Sequence, residues 1–214
     1  DCRAAALPQG RRMNPPEPAS SESTEIRPPD ETVPAQMEVQ EDSRSGHLIA
    51  GIGGSAGGLE AFKAFFSAMP PDTGIAFVLV QHLDPEYNST LAEILADFTS
   101  MPVHRAADGT VAKPNTVSVI PPNSILRICD GVLRVAKLET MASRRSTVDI
   151  FLTSLAEDQA ENAIGIILSG YGSDGTAGVA AIKERGGFTI SEAEFDHYAK
   201  LGMPRSAAAG GFVD

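Results

Sequence analysis

The chain has 214 residues, 42% of them hydrophobic, and a formal net charge of −11. That length supports one substantial α/β domain plus a tail. The acidic balance argues against nonspecific nucleic-acid binding, which depends on neutralising phosphates, and against attachment to an anionic membrane surface. Two cysteines, Cys2 and Cys129, are too few and too far apart for a disulfide framework or a metal site. No run is long and apolar enough to span a bilayer, which argues against membrane insertion, and the N-terminus lacks the layout of a secretory signal. A reducing, cytoplasmic setting is the expectation.

Residues 1–46 read as a disordered, acidic, Pro-rich tail. They hold 5 Lys+Arg against 9 Asp+Glu, hence −4; the remainder hold 12 against 19, hence −7. Segments such as Asn14-Pro15-Pro16-Glu17-Pro18 and Ser20-Ser21-Glu22-Ser23-Thr24-Glu25 bury too little apolar surface to offset chain entropy. The chain opens on Asp1 rather than Met; Met13 as a natural start and a longer parent chain both stay open.

A single domain is expected over residues 47–214. Leu48-Ile49-Ala50-Gly51-Ile52 reads as a buried strand, and Leu59, Phe62, Phe66 and Met69 recur at helical spacing over 58–69. Pro70-Pro71 stops that helix. Ile75 to Val80 is a second buried strand, ending at Gln81-His82; Ser89 is placed to cap a helix with Leu91, Ile94, Leu95 and Phe98 inward. This βαβα opening marks an α/β fold: a doubly wound, mostly parallel, Rossmann-like sheet. Short strands at 103–106 and 116–120 then surround Asp108-Gly109, and Asp130-Gly131 joins two β-rich runs, 125–129 and 132–136. A two-residue Asp-Gly link is a hairpin signal, so an antiparallel hairpin excursion is expected here. Cys129 reads as a small buried apolar residue of that hairpin. Ser146 or Thr147 can cap a helix burying Val148, Phe151, Leu152 and Leu155. Ala163 to Leu168 is another buried strand; a helix follows through Val179, Ile182 and Lys183, closed by Gly186-Gly187, and Phe188-Thr189-Ile190-Ser191 is a further strand. Apolar pattern resumes at Phe212-Val213 beside the final Asp214, which suggests truncation at the C-terminus and a longer parent.

Three loops carry the chemistry. In a parallel sheet they gather along the carboxyl edge of the strands. Gly53-Gly54-Ser55-Ala56-Gly57 fits G-x-S-x-G, the tight strand-to-helix turn that exposes a nucleophilic serine. The helix starting near Gly58 offers N–H groups and a positive dipole end to an oxyanion. The same stretch fits the looser G-x-G-x-x-[GA] dinucleotide pattern, and a plain glycine turn is a third reading. His82 ends a strand where a dinucleotide site calls for an acid, which Asp84 could supply; a purely structural histidine is the other option. His47, His104 and His197 are less well placed. Asp174, in Ser169-Gly170-Tyr171-Gly172-Ser173-Asp174-Gly175, either caps the following helix or orients a histidine. A dinucleotide scheme has no use for this third loop, whereas a Ser–His–Asp triad uses all three. The order Ser55, His82, Asp174 differs from the Ser, acid, His order of α/β-hydrolases, so a different doubly wound framework is implied. Arg144 and Arg145 either flank a substrate channel or form a solvated charge pair.

These motifs resemble, over residues 47–214, the chemotaxis-type protein-glutamate methylesterases, the CheB catalytic domain. Ile52-Gly53-Gly54-Ser55-Ala56-Gly57-Gly58, Val80-Gln81-His82 and the loop through Asp174 are similar to the family's nucleophile, histidine and aspartate motifs; Ser146-Thr147-Val148-Asp149 and Gly202-Met203-Pro204 are similar to two further segments. The resemblance implies hydrolysis of glutamyl methyl esters on a methylated chemoreceptor-like protein, and in some members deamidation of glutamine. By motif, Ser55 is the nucleophile, His82 the base and then the acid, and Asp174 the orienting carboxylate. Backbone N–H groups near Gly54, Ala56, Tyr171 and Gly172 would serve the oxyanion and substrate loops. No metal or organic cofactor is called for. Two residues depart from the pattern: Ala56 replaces a common Thr, and Tyr171 a common Met. Residues 1–46 are too short for the response-regulator domain of many members, which suggests a module fused to methyltransferase and sensor domains. A noncatalytic docking module and a dinucleotide-binding domain are the rival readings.

Overall fold

The computed structural model describes residues 46–55, 58–81, 90–193 and 202–214. The expected tail, apart from Gly46, and the expected cap Ser89 lie outside them. The strands in chain order are β1 (Ile49–Gly54), β2 (Ala76–Gln81), β3 (Val103–Arg105), β4 (Thr110–Val111), β5 (Val117–Val119), β6 (Ser124–Cys129), β7 (Val132–Lys137), β8 (Ala163–Ile167) and β9 (Phe188–Ser191). The helices are α1 (Gly58–Ala68), α2 (Leu91–Ala96), α3 (Met141–Arg144), α4 (Thr147–Gln159), α5 (Thr176–Glu184) and α6 (Met203–Ala209).

Six strands form one sheet in the order β3-β5-β2-β1-β8-β9, with every pairing parallel. Side chains alternate across it, so each strand feeds two cores. Ala50, Ile52, Leu79 and Ile166 pack with Phe62 and Phe66 of α1 and Leu91 and Leu95 of α2. Phe65, Phe66 and Phe77 meet edge to face there, at centroid separations of 5.2 to 6.2 Å, the geometry aromatic quadrupoles favour. On the other face, Ile49, Val78, Val80 and Ile167 pack with Phe151, Leu152 and Leu155 of α4, Val179 and Ile182 of α5, and Met203 of α6. The antiparallel sheet, in the order β4-β7-β6, adds Leu126, Ile128 and Leu133 to this second core.

The packing of α4 on β1 sets the position of the site. A Cβ at Gly53 would lie 2.3 Å from Val148 Cγ1, and one at Gly51 would lie 2.6 Å from Leu152 Cδ2. Only glycines let the helix come this close to the strand, and the contact carries the start of α4 up to the carboxyl end of β1. The strand order also reverses at β1: the chain moves outward through β2, then returns on the other side through β8 and β9. Ligands of doubly wound sheets bind outside the strand ends at such a reversal. The loops after β1 and β8 meet there.

Several expectations need correction. The two short strands expected around Asp108-Gly109, β3 and β5, both extend the parallel sheet, and β4 between them, not expected from the sequence, joins the antiparallel one. Three-residue strands are too short for their own pattern to show which partner they take. The hairpin turn is as expected, with Asp130 and Gly131 at φ 53° and 70°, both left-handed as a type I′ turn requires. Cys129 is half-buried rather than buried, with its thiol 3.8 Å from the Asp130 carboxylate. Phe98 lies beyond the end of α2, 36% exposed beneath the ammonium of Lys63. Helix α5 ends as read: Gly186 N–H donates to Lys183 O and Gly187 N–H to Ile182 O, the paired bonds of a Schellman motif.

Candidate active site

Ser55 follows β1 directly and is only 8% exposed. Its backbone is held from three directions. Ser55 N–H donates to Ser169 O at 3.1 Å. Its carbonyl accepts from Gly58 N–H at 2.8 Å and from Gln81 Nε2 at 3.1 Å. The Gly58 N–H is therefore occupied, so the expected free donor at the start of α1 is not this one. Gly170 presses directly on the serine: a Cβ there would lie 2.5 Å from Ser55 Cβ and 2.7 Å from Met203 Sδ. Any side chain at 170 would displace one of the two. Met203 N–H in turn donates to Gly170 O at 2.9 Å. The segment Gly202-Met203-Pro204 thus locks the third loop against the nucleophile loop, with Pro204 in the first turn of α6, where its missing N–H is harmless.

Asp174 is 6% exposed. Its Oδ2 accepts from Val148 N–H and its Oδ1 from Asp149 N–H, both at 2.9 Å. It caps α4. The expected local caps take no such role: Ser146 makes no side-chain cap bond among the described residues, and the Thr147 hydroxyl donates backward to Ser143 O and Arg144 O. Asp149, half-buried next to this pair, accepts from Gly178 N–H of α5 at 2.8 Å. Burial pushes its carboxyl above the usual range and the Asp174 charge adds to the rise, while the Gly178 N–H opposes it.

Of the residues singled out by sequence, Ser55, Gly54, Tyr171, Gly172 and Asp174 are described; His82, Ala56 and His197 lie outside the described residues. Ser55 and Asp174 stand on loops that touch through Gly170 and Ser169. Gly54 pairs with Gln81 at the end of β1. Tyr171, 81% exposed, bridges to Gly202, and Gly172 O accepts from the Ser206 hydroxyl at 3.1 Å. Tyr171, Gly172 and Arg205 line an open cleft of about 650 Å³. On the Gln81 side, Arg144 lines a small hollow with Gln81, Asn123 and Thr147, while Arg145 is exposed. His47 and His104 are engaged elsewhere, by Ala112 O and the Ser118 hydroxyl. Sequence reasoning missed the part played by Gln81 and by Asp149. For Gln81, the available signal was an amide side chain at the very end of a buried strand beside the serine loop.

Residues 50–214 match the family model described as CheB methylesterase. The protein-glutamate methylesterase/protein-glutamine glutaminase 2 of Burkholderia lata is 36% identical over 164 residues, covering 76% of this chain and 48% of that protein. The protein of that name in Pseudomonas syringae pv. syringae is 35% identical over 168 residues, covering 78% and 49%. The chain spans about half the length of these curated relatives. Among solved structures, the Thermotoga maritima CheB methylesterase catalytic domain is 29% identical with a TM-score of 0.69, over 78% of this chain and 90% of that one. A buried serine at the sheet's reversal point, locked by an aspartate-bearing loop, together with a family match from residue 50 to the last residue, leads to one assignment: the chain belongs to the CheB methylesterase family.

Proposed function

We propose that this chain hydrolyses glutamyl methyl esters on a methylated, chemoreceptor-like protein in the cytoplasm, with Ser55, His82 and Asp174 as its triad. Ser55 Oγ attacks the ester carbonyl while His82 accepts the hydroxyl proton. The resulting oxyanion is held by backbone N–H groups of the two glycine loops. The intermediate collapses, and methanol leaves with the proton that His82 returns. His82 then takes a proton from water, the hydroxide attacks the acyl-serine, and Ser55 leaves with the proton, freeing a glutamate carboxylate. Asp174 fixes the tautomer and orientation of His82 and stabilises its cation. Glutamine deamidation follows the same steps, with ammonia as the leaving group.

The observation that carries this reading is the packing of the aspartate loop directly onto a buried serine at the strand end, through Gly170. Mass spectrometry of a methylated receptor fragment incubated with the protein tests it. The expected result is stepwise loss of ester methyl groups, slowed by about three or more orders of magnitude in Ser55→Ala. Undiminished demethylation by Ser55→Ala would contradict it.

A further inference from the structure

Helices α4 and α5 exchange their caps. Helix α5 is preceded by Gly175 at φ 93°, which has no side chain to offer, and α4 by Ser146, which makes no side-chain cap bond among the described residues. Asp174, on the segment leading into α5, supplies both its oxygens to the first turn of α4. Asp149, in that first turn, supplies Oδ1 to Gly178 N–H in the first turn of α5. Gly178 is the third residue of α5, a position whose N–H an N-cap side chain ordinarily serves. The arrangement has the reciprocity of a capping box, but its two halves lie on different helices. The helices are also in direct contact, since a Cβ at Gly178 would lie 2.5 Å from Leu152 Cβ. The loop bearing Asp174 is therefore clamped between two helix ends, and Asp149 is the clamp on the α5 side.

We propose that Asp149 is a positioning residue of the triad: by holding the start of α5 to the start of α4, it fixes the loop that aims Asp174. The proposal rests on the triad reading. Asp149 acts through Asp174. A loosened α5 end lets the carboxylate turn away from the direction it must hold, and misplacements of about 1 Å cost about 100-fold in rate.

The test is steady-state hydrolysis of a synthetic peptide carrying one glutamyl methyl ester, measured below the melting temperature of every variant. Asp149→Ala should lower kcat about 10- to 100-fold with KM little changed. Asp149→Asn keeps the oxygen for Gly178 at the same reach and should restore kcat to within about threefold. Asp149→Glu keeps the charge but displaces it by a methylene, and should remain impaired; it also serves if the alanine variant does not fold. A merely structural role predicts undiminished kcat in all three, whatever their melting temperatures, and that result overturns the proposal. So does an active glutamate variant beside an inactive asparagine variant. Asp174→Ala separates the two levels: if it hydrolyses the peptide at the wild-type rate, the triad reading itself falls; if it is impaired while Asp149→Ala is not, only the positioning role falls.

Discussion

The carboxyl of Asp149 is half-buried beside that of Asp174, and its folded-state pKa is raised by desolvation first and by the neighbouring charge as well. A raised acid pKa means that folding favours the protonated form. The stability contributed by this group is present in full below the ordinary carboxylate range, about pH 4, and is lost as the pH rises through the raised folded value. Above that value the ionised carboxylate is a local cost. Asp149→Asn removes the charge and retains the oxygen facing Gly178 N–H, so it should melt above the wild type at pH 7. The gap should close below about pH 4, where both side chains are neutral. Thermal unfolding at the two pH values measures this. A variant that melts lower than the wild type at pH 7 would show that the ionised form is the one the fold prefers. At this scale, the sequence made Ser55 and Asp174 legible through the glycines around them. The amides that Asp174 caps were not legible, because they lie 25 and 26 residues earlier and no local spacing rule reaches that far.

Among the elements, the contact between β1 and α4 matters most to the site, because it delivers the amides of Val148 and Asp149 to the end of the strand. Gly53→Ala places a methyl group 2.3 Å from Val148 Cγ1. Overpacking of this kind costs about 1–3 kcal/mol, or roughly 2–12 °C in melting temperature for a chain of this size. Because Val148 N–H donates to Asp174, the same change should lower esterase turnover in protein that remains folded. Calorimetry combined with peptide hydrolysis checks both; an unchanged melting temperature would mean that α4 shifts freely on the sheet. Elements with a long, uninterrupted apolar run, β1, β2 and β8, and the Asp-Gly hairpin were readable directly. The parallel pairing of β3 and β5 was not, since three residues carry too little alternation to identify a sheet. The start of α4 was read correctly, but its cap was assigned to Ser146 or Thr147 because both sit where a local cap belongs. Tertiary contact with the aspartate loop replaces that local solution.

Across the whole molecule, the doubly wound sheet turns two distant stretches of chain into one site. The order reversal at β1 and β8 brings the loop ending in Ser55 against the loop bearing Asp174. The small residues Gly51, Gly53 and Gly170 allow helix and loop to close on it. No helix among the described residues is long and apolar enough to cross a membrane. The proposed triad requires Ser55 to be an activated nucleophile rather than a buried structural hydroxyl. Labelling with a fluorophosphonate, followed by peptide mapping, addresses that most directly. A single covalent adduct on Ser55 is expected, formed about 100-fold or more slower in His82→Ala and Asp174→Ala; an adduct on another residue, or equal labelling rates in all three proteins, would contradict the triad.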